Sequence, residues 1–294
     1  MCMAHERSVR NMLRRYEISP NKESGQHFLT NWNLLQREVE YANTNKKDVI
    51  LEIGPGIGNL TELLAQNAKL VIAVEKDLQF KKCLSRLERH YDNIEVIFGD
   101  ALEINFPSFD KVVSNLPFNI ALPLIFKLLN YNFDVAVLLC QKRLAQRICA
   151  STGQKGYCRL SVSIQRVADA KILKLVPKSA FFPPPEVDGA IVRIKKTAPK
   201  FSVPFEEFFV KVLKFMFFYR DRTVRTILAP KYMGVPKKLL LNVLSRTGAE
   251  INRKTIYEVT PRQFGTITWA LWEELGVAHA REIIDKLSAV HKFG

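Results

Sequence analysis

The sequence predicts an α/β protein: a doubly wound sheet, mostly parallel with one antiparallel strand, followed by a small all-helical C-terminal domain. Three observations carry this. Short apolar runs alternate with helical patterns as far as Leu139, as expected when crossover helices wind a parallel sheet. A glycine turn, Gly54-Pro55-Gly56-Ile57-Gly58, joins one such run to a helical segment. Past the linker Lys196-Thr197-Ala198-Pro199 and Pro204, the pattern from Phe205 onward is helical. The expected division is a basic N-terminal extension over 1–24, the α/β domain over 25–198 and the helical domain over 199–294.

In chain order, residues 1–24 read as a short helix and a loop at Ser19-Pro20-Asn21. A glycine-led segment, Gly25 to Thr30, precedes a helix from about Asn33 to Ala42. The first sheet strand is Asp48–Ile53, and after the glycine turn a helix runs to about Gln66. Leu70–Val74 is the second strand, closed by Glu75. Asp77 caps the helix carrying Phe80, Leu84 and Leu87 at helical spacing. Ile94–Phe98 and Lys111–Ser114 are the third and fourth strands. The next helix is expected to start near Pro123, in the N1 position that tolerates a missing N–H. The fifth strand is Asp134–Leu139, and a basic segment, Gln141–Ala150, follows it. Ala170–Val176 and Ala190–Lys195 are further strands, separated by Phe181-Phe182-Pro183-Pro184-Pro185. With no helix between them, one must run antiparallel to the rest. Helix stops are expected near Ala229-Pro230, Gly234-Val235-Pro236 and Gly248.

Composition narrows the class. A hydrophobic content of 47% supports a packed core, and 25% charged residues suits a water-soluble chain. No apolar run reaches transmembrane length, so no membrane partner is expected. Met1 to Tyr16 is Arg-rich but carries Glu6 and no continuous apolar region. A cytoplasmic protein is the expectation, with organelle targeting the weaker reading. Five cysteines, with no pair at zinc-finger spacing, read as reduced thiols, and no metal site is expected. No oligomer signature is evident, so a monomer is expected.

The net charge of +15 is unevenly placed. Residues 28–140 hold 11 Lys+Arg and 14 Asp+Glu, whereas residues 141–200 hold 13 and 3. The positive excess therefore begins just after the fifth strand, which points to a polyanionic partner. Lys142, Arg143, Arg147, Lys155 and Arg159 follow that strand, and Arg220, Arg222 and Arg225 lie in the helical domain. Each is a candidate phosphate contact, against the blander reading of a solvated surface charge.

The residues with chemistry cluster at the strand ends. The spacing Gly54-x-Gly56-x-Gly58 lets the backbone bend and approach a ligand. Glu75, 21 residues on, can accept from both ribose hydroxyls. These two features fit NAD as well as S-adenosyl-L-methionine. The methyl donor is favoured because Asn59 breaks a GxGxxG pattern, because Asp100 can accept from an adenine amine, and because of Asn115-Leu116-Pro117-Phe118. The exocyclic nitrogen of adenine is a weak nucleophile, its lone pair being delocalised into the ring. The Asn115 side-chain oxygen and the Leu116 carbonyl are candidate acceptors that would localise that lone pair. Pro117 has a fixed φ and biases Leu116 to an extended conformation. Phe118 offers a face for base stacking. The alternative is a plain turn with a packed aromatic.

The pieces Gly25-Gln26-His27-Phe28-Leu29, Glu52-Ile53-Gly54-Pro55-Gly56-Ile57-Gly58, Glu75, Gly99-Asp100-Ala101 and Asn115-Leu116-Pro117-Phe118-Asn119-Ile120 stand in one order. Arg159-Leu160-Ser161-Val162 and Phe181-x-Pro183-x-Pro185-x-Val187-Asp188 follow. Together they resemble the ribosomal RNA adenine dimethyltransferase family, over about residues 25 to 195. The Phe182–Asp188 and Phe218–Arg222 segments look closest to its archaeal and eukaryotic small-subunit branch. The resemblance implies a Rossmann-like methyltransferase fold. It implies that His27, Leu29, Gly54, Gly56, Glu75, Asp100 and Asn115 line the S-adenosyl-L-methionine site. It implies that Asn115, Leu116 and Phe118 hold the target adenine, with Phe181 packed near the flipped base. The implied reaction is dimethylation of N6 on two adjacent adenosines, in a hairpin loop near the 3′ end of small-subunit rRNA. The implied partner is the immature small ribosomal subunit. The chain departs from many members at Phe118, where they have Tyr, and at His27, where they have Asn. Two other classes stay open on sequence: a non-catalytic RNA or transcription factor on the same fold, and an amino methyltransferase for DNA, free nucleotide or protein glutamine.

Overall fold

A computed structural model of the protein describes residues 2–21, 25–233 and 235–289. Residues 22–24 after the expected loop lie outside these, as does Gly234 of the expected stop Gly234-Val235-Pro236, whose Pro236 precedes the next helix, Lys237–Thr247. Among the described residues nine strands form: β1 Phe28–Leu29, β2 Val49–Ile53, β3 Leu70–Glu75, β4 Ile94–Phe98, β5 Lys111–Asn115, β6 Val135–Gln141, β7 Ala168–Val176, β8 Phe181–Phe182 and β9 Gly189–Lys196. Seven build one sheet in the order β4-β3-β2-β5-β6-β9-β7. β2, β3, β4, β5 and β6 pair in parallel, and β9 lies antiparallel to β6 from Gly189–Gln141 to Lys195–Val135. The antiparallel strand expected from the helix-free connection is thus β9. Central parallel strands are covered on both faces, which is why β2 and β3 are almost wholly buried. At one edge β7 carries Asp169, Lys171 and Lys174 among exposed and half-exposed positions, charges that discourage pairing with another chain.

The helices are α1 Cys2–Arg15, α2 Trp32–Tyr41, α3 Asn59–Asn67, α4 Lys81–His90, α5 Ala121–Leu128, α6 Lys142–Cys149, α7 Arg159–Val167, α8 Glu206–Phe218, α9 Val224–Leu228, α10 Lys237–Thr247, α11 Ala249–Arg253 and α12 Pro261–Ala289. Two sequence expectations shift in detail. Asp77 does cap a helix, accepting from the Gln79 N–H at 3.0 Å, but a 3₁₀ turn, Leu78–Phe80, precedes α4. Pro123 is the third residue of α5 and not the first. It is harmless there, because N–H groups in the first turn have no intrahelical acceptor.

The chain forms two compact units: residues 1–146 with 169–196, and 147–168 with 197–294. This differs from a linear boundary at 198/199, because α7 belongs with the helical unit. Tyr157 and Val162 pack there among Phe208, Phe209, Val212 and Phe264, and the Tyr157 hydroxyl donates to the Val259 carbonyl at 2.8 Å. Contacts of that kind join segments far apart in sequence, so periodicity does not reveal them. The N-terminal residues are likewise more than an appendage: Val9 and Leu13 of α1 are buried in the core of the first unit, and the Arg10 guanidinium lies 3.8 Å from the Phe182 ring centre.

Candidate active site

The order of the first sheet reverses between β2 and β5, and in open α/β sheets ligands bind at the strand carboxyl ends of such a point. β2 and β5 pair at Ile50–Lys111 and Leu51–Val112. Beyond that register the Ser114 hydroxyl bridges them, donating to the Ile53 carbonyl at 2.6 Å and accepting from its N–H at 3.3 Å. A cavity of about 700 Å³ opens at these strand ends, and the first unit supplies all of its lining.

Gly54, Gly56, Glu75 and Asp100 line it from the ends of β2, β3 and β4. Asn115, Leu116, Pro117 and Phe118 line it from the end of β5. His27, Leu29 and Phe181 also line it, and β1 and β8 explain how: Leu29 is paired with Phe181 in a separate two-stranded ladder. Every donor-site and base-site residue singled out from sequence therefore shares one cavity.

The Gly56 φ of 55° is left-handed, and a Cβ there would stand 2.9 Å from the Phe28 ring. The turn accordingly needs glycine on both counts. Gly58 shares the left-handed φ, at 82°, but a Cβ there would meet Leu87 of α4 at 2.2 Å, and this third glycine does not line the cavity.

Three carboxylates fix the character of this end. Glu75 Oε2 accepts from the Gly56 N–H at 3.0 Å and Oε1 from the Asp77 N–H at 2.9 Å. Each oxygen keeps a lone pair for a ligand hydroxyl. Burial raises its pKa despite those bonds. Asp100 accepts from Lys76 Nζ at 2.7 Å and from the Leu102 N–H at 2.9 Å, and the Lys76 hydrogen bond holds its carboxyl below the usual range. Glu52 is buried, its Oε2 has no hydrogen-bond partner among the described residues, and burial pushes its pKa up to about 8, with the Glu75 charge adding to the rise.

The acceptor side has a different partner set. Asn115 sits at the end of β5, facing Glu38 of α2. Its neighbours are satisfied when the amide is oriented with Nδ2 toward Glu38, donating to Oε1 at 2.8 Å and Oε2 at 3.1 Å. Phe118 lies edge-on to Phe181 with ring centres 6.0 Å apart, and 6.0 Å from the His27 ring. His27 Nδ1 is 2.8 Å from the Pro183 carbonyl, which only accepts, so Nδ1 carries the proton and donates there. This bond ties the N-terminal loop to the segment after β8.

The profile of the family described as "Ribosomal RNA adenine dimethylase" matches residues 18–258. The chain belongs to the ribosomal RNA adenine dimethylase family. It is 36% identical over 260 residues to a "Probable ribosomal RNA small subunit methyltransferase A" of Methanococcus maripaludis, covering 87% of this chain and 99% of that protein. A protein of the same name from Thermococcus sibiricus is 42% identical over 205 residues, 70% of this chain and 75% of that one. The crystal structure of a dimethyladenosine transferase from Plasmodium falciparum superposes with a TM-score of 0.76 at 30% identity, covering 84% of this chain and 98% of that one. As a member of this family the chain is an rRNA methyltransferase, and the family's chemistry implies S-adenosyl-L-methionine as its methyl source.

The residues present fit that donor. Glu52 lines the cavity as a buried carboxyl, the Gly54–Gly56 turn leaves room that a Cβ would fill, and Glu75 retains acceptor capacity. Glu38 and Glu52 received no role from sequence. The signal for Glu38 was present: it falls on the buried stripe Leu34, Leu35, Glu38, Val39 of α2, where a charge is out of place.

The basic residues do not line the cavity. Lys142 and Arg143 begin α6 in the first unit. Arg147, Lys155, Arg159, Arg220, Arg222 and Arg225 belong to the second. There the loop before α7 and the end of α8 share Tyr257: its carbonyl accepts from the Gly153 N–H, its N–H donates to the Arg220 carbonyl, and Arg220 stacks 5.0 Å from its ring. Lys155, Arg222 and Arg225 are exposed, whereas Arg147 and Arg159 are half-buried. Burial and the neighbouring Arg147 charge lower the Arg159 pKa.

Proposed function

We propose that this enzyme dimethylates N6 of two adjacent adenosines, in a hairpin loop near the 3′ end of small-subunit rRNA, during maturation of the small ribosomal subunit. The observation that carries the reading is Asn115, held at the donor cavity beside Phe118 and Phe181. S-adenosyl-L-methionine, when bound, supplies a methyl group activated on a sulfonium. Glu75 would accept from its ribose hydroxyls, Asp100 from its adenine amine and Glu52 from its ammonium, with Gly54, Gly56, His27 and Leu29 around it.

The protein's own task is alignment. Asn115 Oδ1 and the Leu116 carbonyl accept the two hydrogens of the adenine amine and localise its lone pair toward the methyl group. Phe118 stacks on the flipped base, a contact worth about 1–3 kcal/mol, and Phe181 supports Phe118 edge-on. No strong general base is required, because the methylated amine is acidic enough to lose its proton late. Holding reactants in line contributes much of the acceleration in reactions of this kind. Lys142, Arg143, Arg147, Lys155, Arg159, Arg220 and Arg222 contact phosphates and hold the folded RNA while one base is displaced. The enzyme acts as a monomer in the cytoplasm.

The test uses labelled donor and small subunits lacking the modification, with the product mapped by nuclease digestion. Label on two adjacent adenosines is expected. Label elsewhere, or none, overturns the proposal.

A further inference from the structure

Glu38 lies at a core position of α2 and is almost wholly buried, yet it forms no ion pair among the described residues. With the Asn115 amide turned nitrogen-first, the orientation that satisfies both side chains, both Glu38 oxygens accept from it. In its ionised form the Glu38 carboxylate accepts and does not donate, so it attracts Nδ2 and repels Oδ1, and the Asn115 N–H in turn favours that form against the burial that disfavours it. An amide has one nitrogen end and one oxygen end. Committing the nitrogen to Glu38 leaves Oδ1 as the end that faces a ligand.

We propose that Glu38 is a positioning residue for methyl transfer: it locks the Asn115 amide in the orientation that presents Oδ1, the acceptor, to the substrate amine. This rests on the role proposed for Asn115 in catalysis. Without Glu38 the amide could turn over and present Nδ2, a donor, to an amine whose hydrogens need acceptors. One 180° rotation would convert the group from productive to obstructive with no change in shape. A buried acid in this place opposes stability, because burial and the nearby Glu52 charge disfavour its ionised form, while the Asn115 N–H favours it. An apolar side chain would pack α2 more cheaply. The carboxylate is thus accounted for by what it does to Asn115, and Glu52 is the titratable group facing it from β2.

Glu38→Met, Glu38→Gln and the double variant Glu38→Met/Asn115→Ala test this. Glu38→Met is expected to melt no lower than wild type and to bind S-adenosylhomocysteine with unchanged affinity. Its turnover should fall on the order of 100-fold, the scale of a small misplacement at a reacting centre. Glu38→Gln keeps an acceptor for Nδ2 and should recover most of that loss. The double variant should be no slower than Asn115→Ala alone, since both changes remove one function. A second readout is independent of activity. The Asn115 side-chain amide resonance, assigned by its disappearance in Asn115→Ala, should shift and lose exchange protection in Glu38→Met. A folded Glu38→Met with near wild-type turnover, or a double variant in which the two losses multiply, overturns the proposal. Wild-type protein that methylates no adenosine would instead overturn the functional reading. In that case an Asn115 amide resonance unmoved in Glu38→Met would also remove the orientation lock.

Discussion

The two sides of the cavity are built on different plans. On the donor side, Gly56, Glu75 and Asp100 sit at the ends of successive strands and bond mainly to backbone or to close neighbours in sequence. On the acceptor side, Asn115 leans on Glu38 of α2, and Phe118 leans on Phe181 and His27. Those partners come from three separate stretches of chain. The strand-end part of the donor side is therefore repeated strand by strand, and only Leu29 and the neighbouring His27 come to it with the β1–β8 ladder. The acceptor side exists only after the sheet, α2 and the β1–β8 ladder have assembled.

The largest effects should separate the sides cleanly. Asn115→Ala is expected to lower kcat by about 10²–10³-fold, the usual cost of removing one preorganised polar group at a reacting centre, with donor affinity nearly unchanged. Glu75→Ala should do the reverse. Losing charged hydrogen bonds worth about 1.5–3 kcal/mol weakens donor binding, while kcat at saturating donor changes much less. Calorimetry with S-adenosylhomocysteine and single-turnover kinetics check both. If Asn115→Ala abolished donor binding, the division of labour would be wrong.

That division also explains what was legible in the sequence. Gly54, Gly56, Glu75 and Asp100 announce themselves because strand ends recur at readable intervals and the chemistry lies beside them. Asn115 through Phe118 are legible as a group, because an amide, a proline and an aromatic follow an apolar run. Glu38 is legible only as a charge out of place on the apolar stripe of α2, since its meaning depends on which strand α2 covers. The same limit applies to α7: nothing in its periodicity says that Val162 packs with Phe208 and Phe209 in the helical unit. Helix boundaries were nearly right, but a proline permitted anywhere in a first turn does not say which residue begins the helix, as Pro123 shows.

The basic residues extend the contrast beyond the cavity, because they bear on RNA and leave the donor alone. RNA affinity should fall steeply with salt, and removing one phosphate-binding cation should reduce the log–log slope by about 1. Lys142→Ala/Arg143→Ala, read by filter binding at several salt concentrations, should weaken RNA binding and flatten the slope without moving donor affinity. A slope unchanged in that variant would remove those two residues from the interface.

Glu52 sharpens the donor side through pH. Its carboxyl titrates near 8 when folded against 4.5 ordinarily. Between those values the native state keeps a proton that the unfolded chain has released, so stability should fall as pH rises across that window. Glu52→Gln has no such proton to lose, and its melting temperature should vary less from about pH 5 to 8. A steeper slope in the variant would contradict the assignment.

The smallest effect is expected at Phe118, and it tests how the acceptor side divides between stacking and support. Phe118 is half-buried and Phe181 is buried. A tyrosine in place of Phe118 keeps the ring face and can send its hydroxyl toward solvent, so Phe118→Tyr should change the RNA KM by no more than about twofold if stacking is the working contact. Phe118→Ala should raise that KM with little change in melting temperature. Phe181→Ala should do both, because it also opens a cavity in the core, at a cost of about 3–5 kcal/mol. Should Phe118→Tyr instead alter turnover strongly in either direction, then the edge of the ring meets the base or Asn115, and the face-on stacking assigned to Phe118 is replaced by an edge contact.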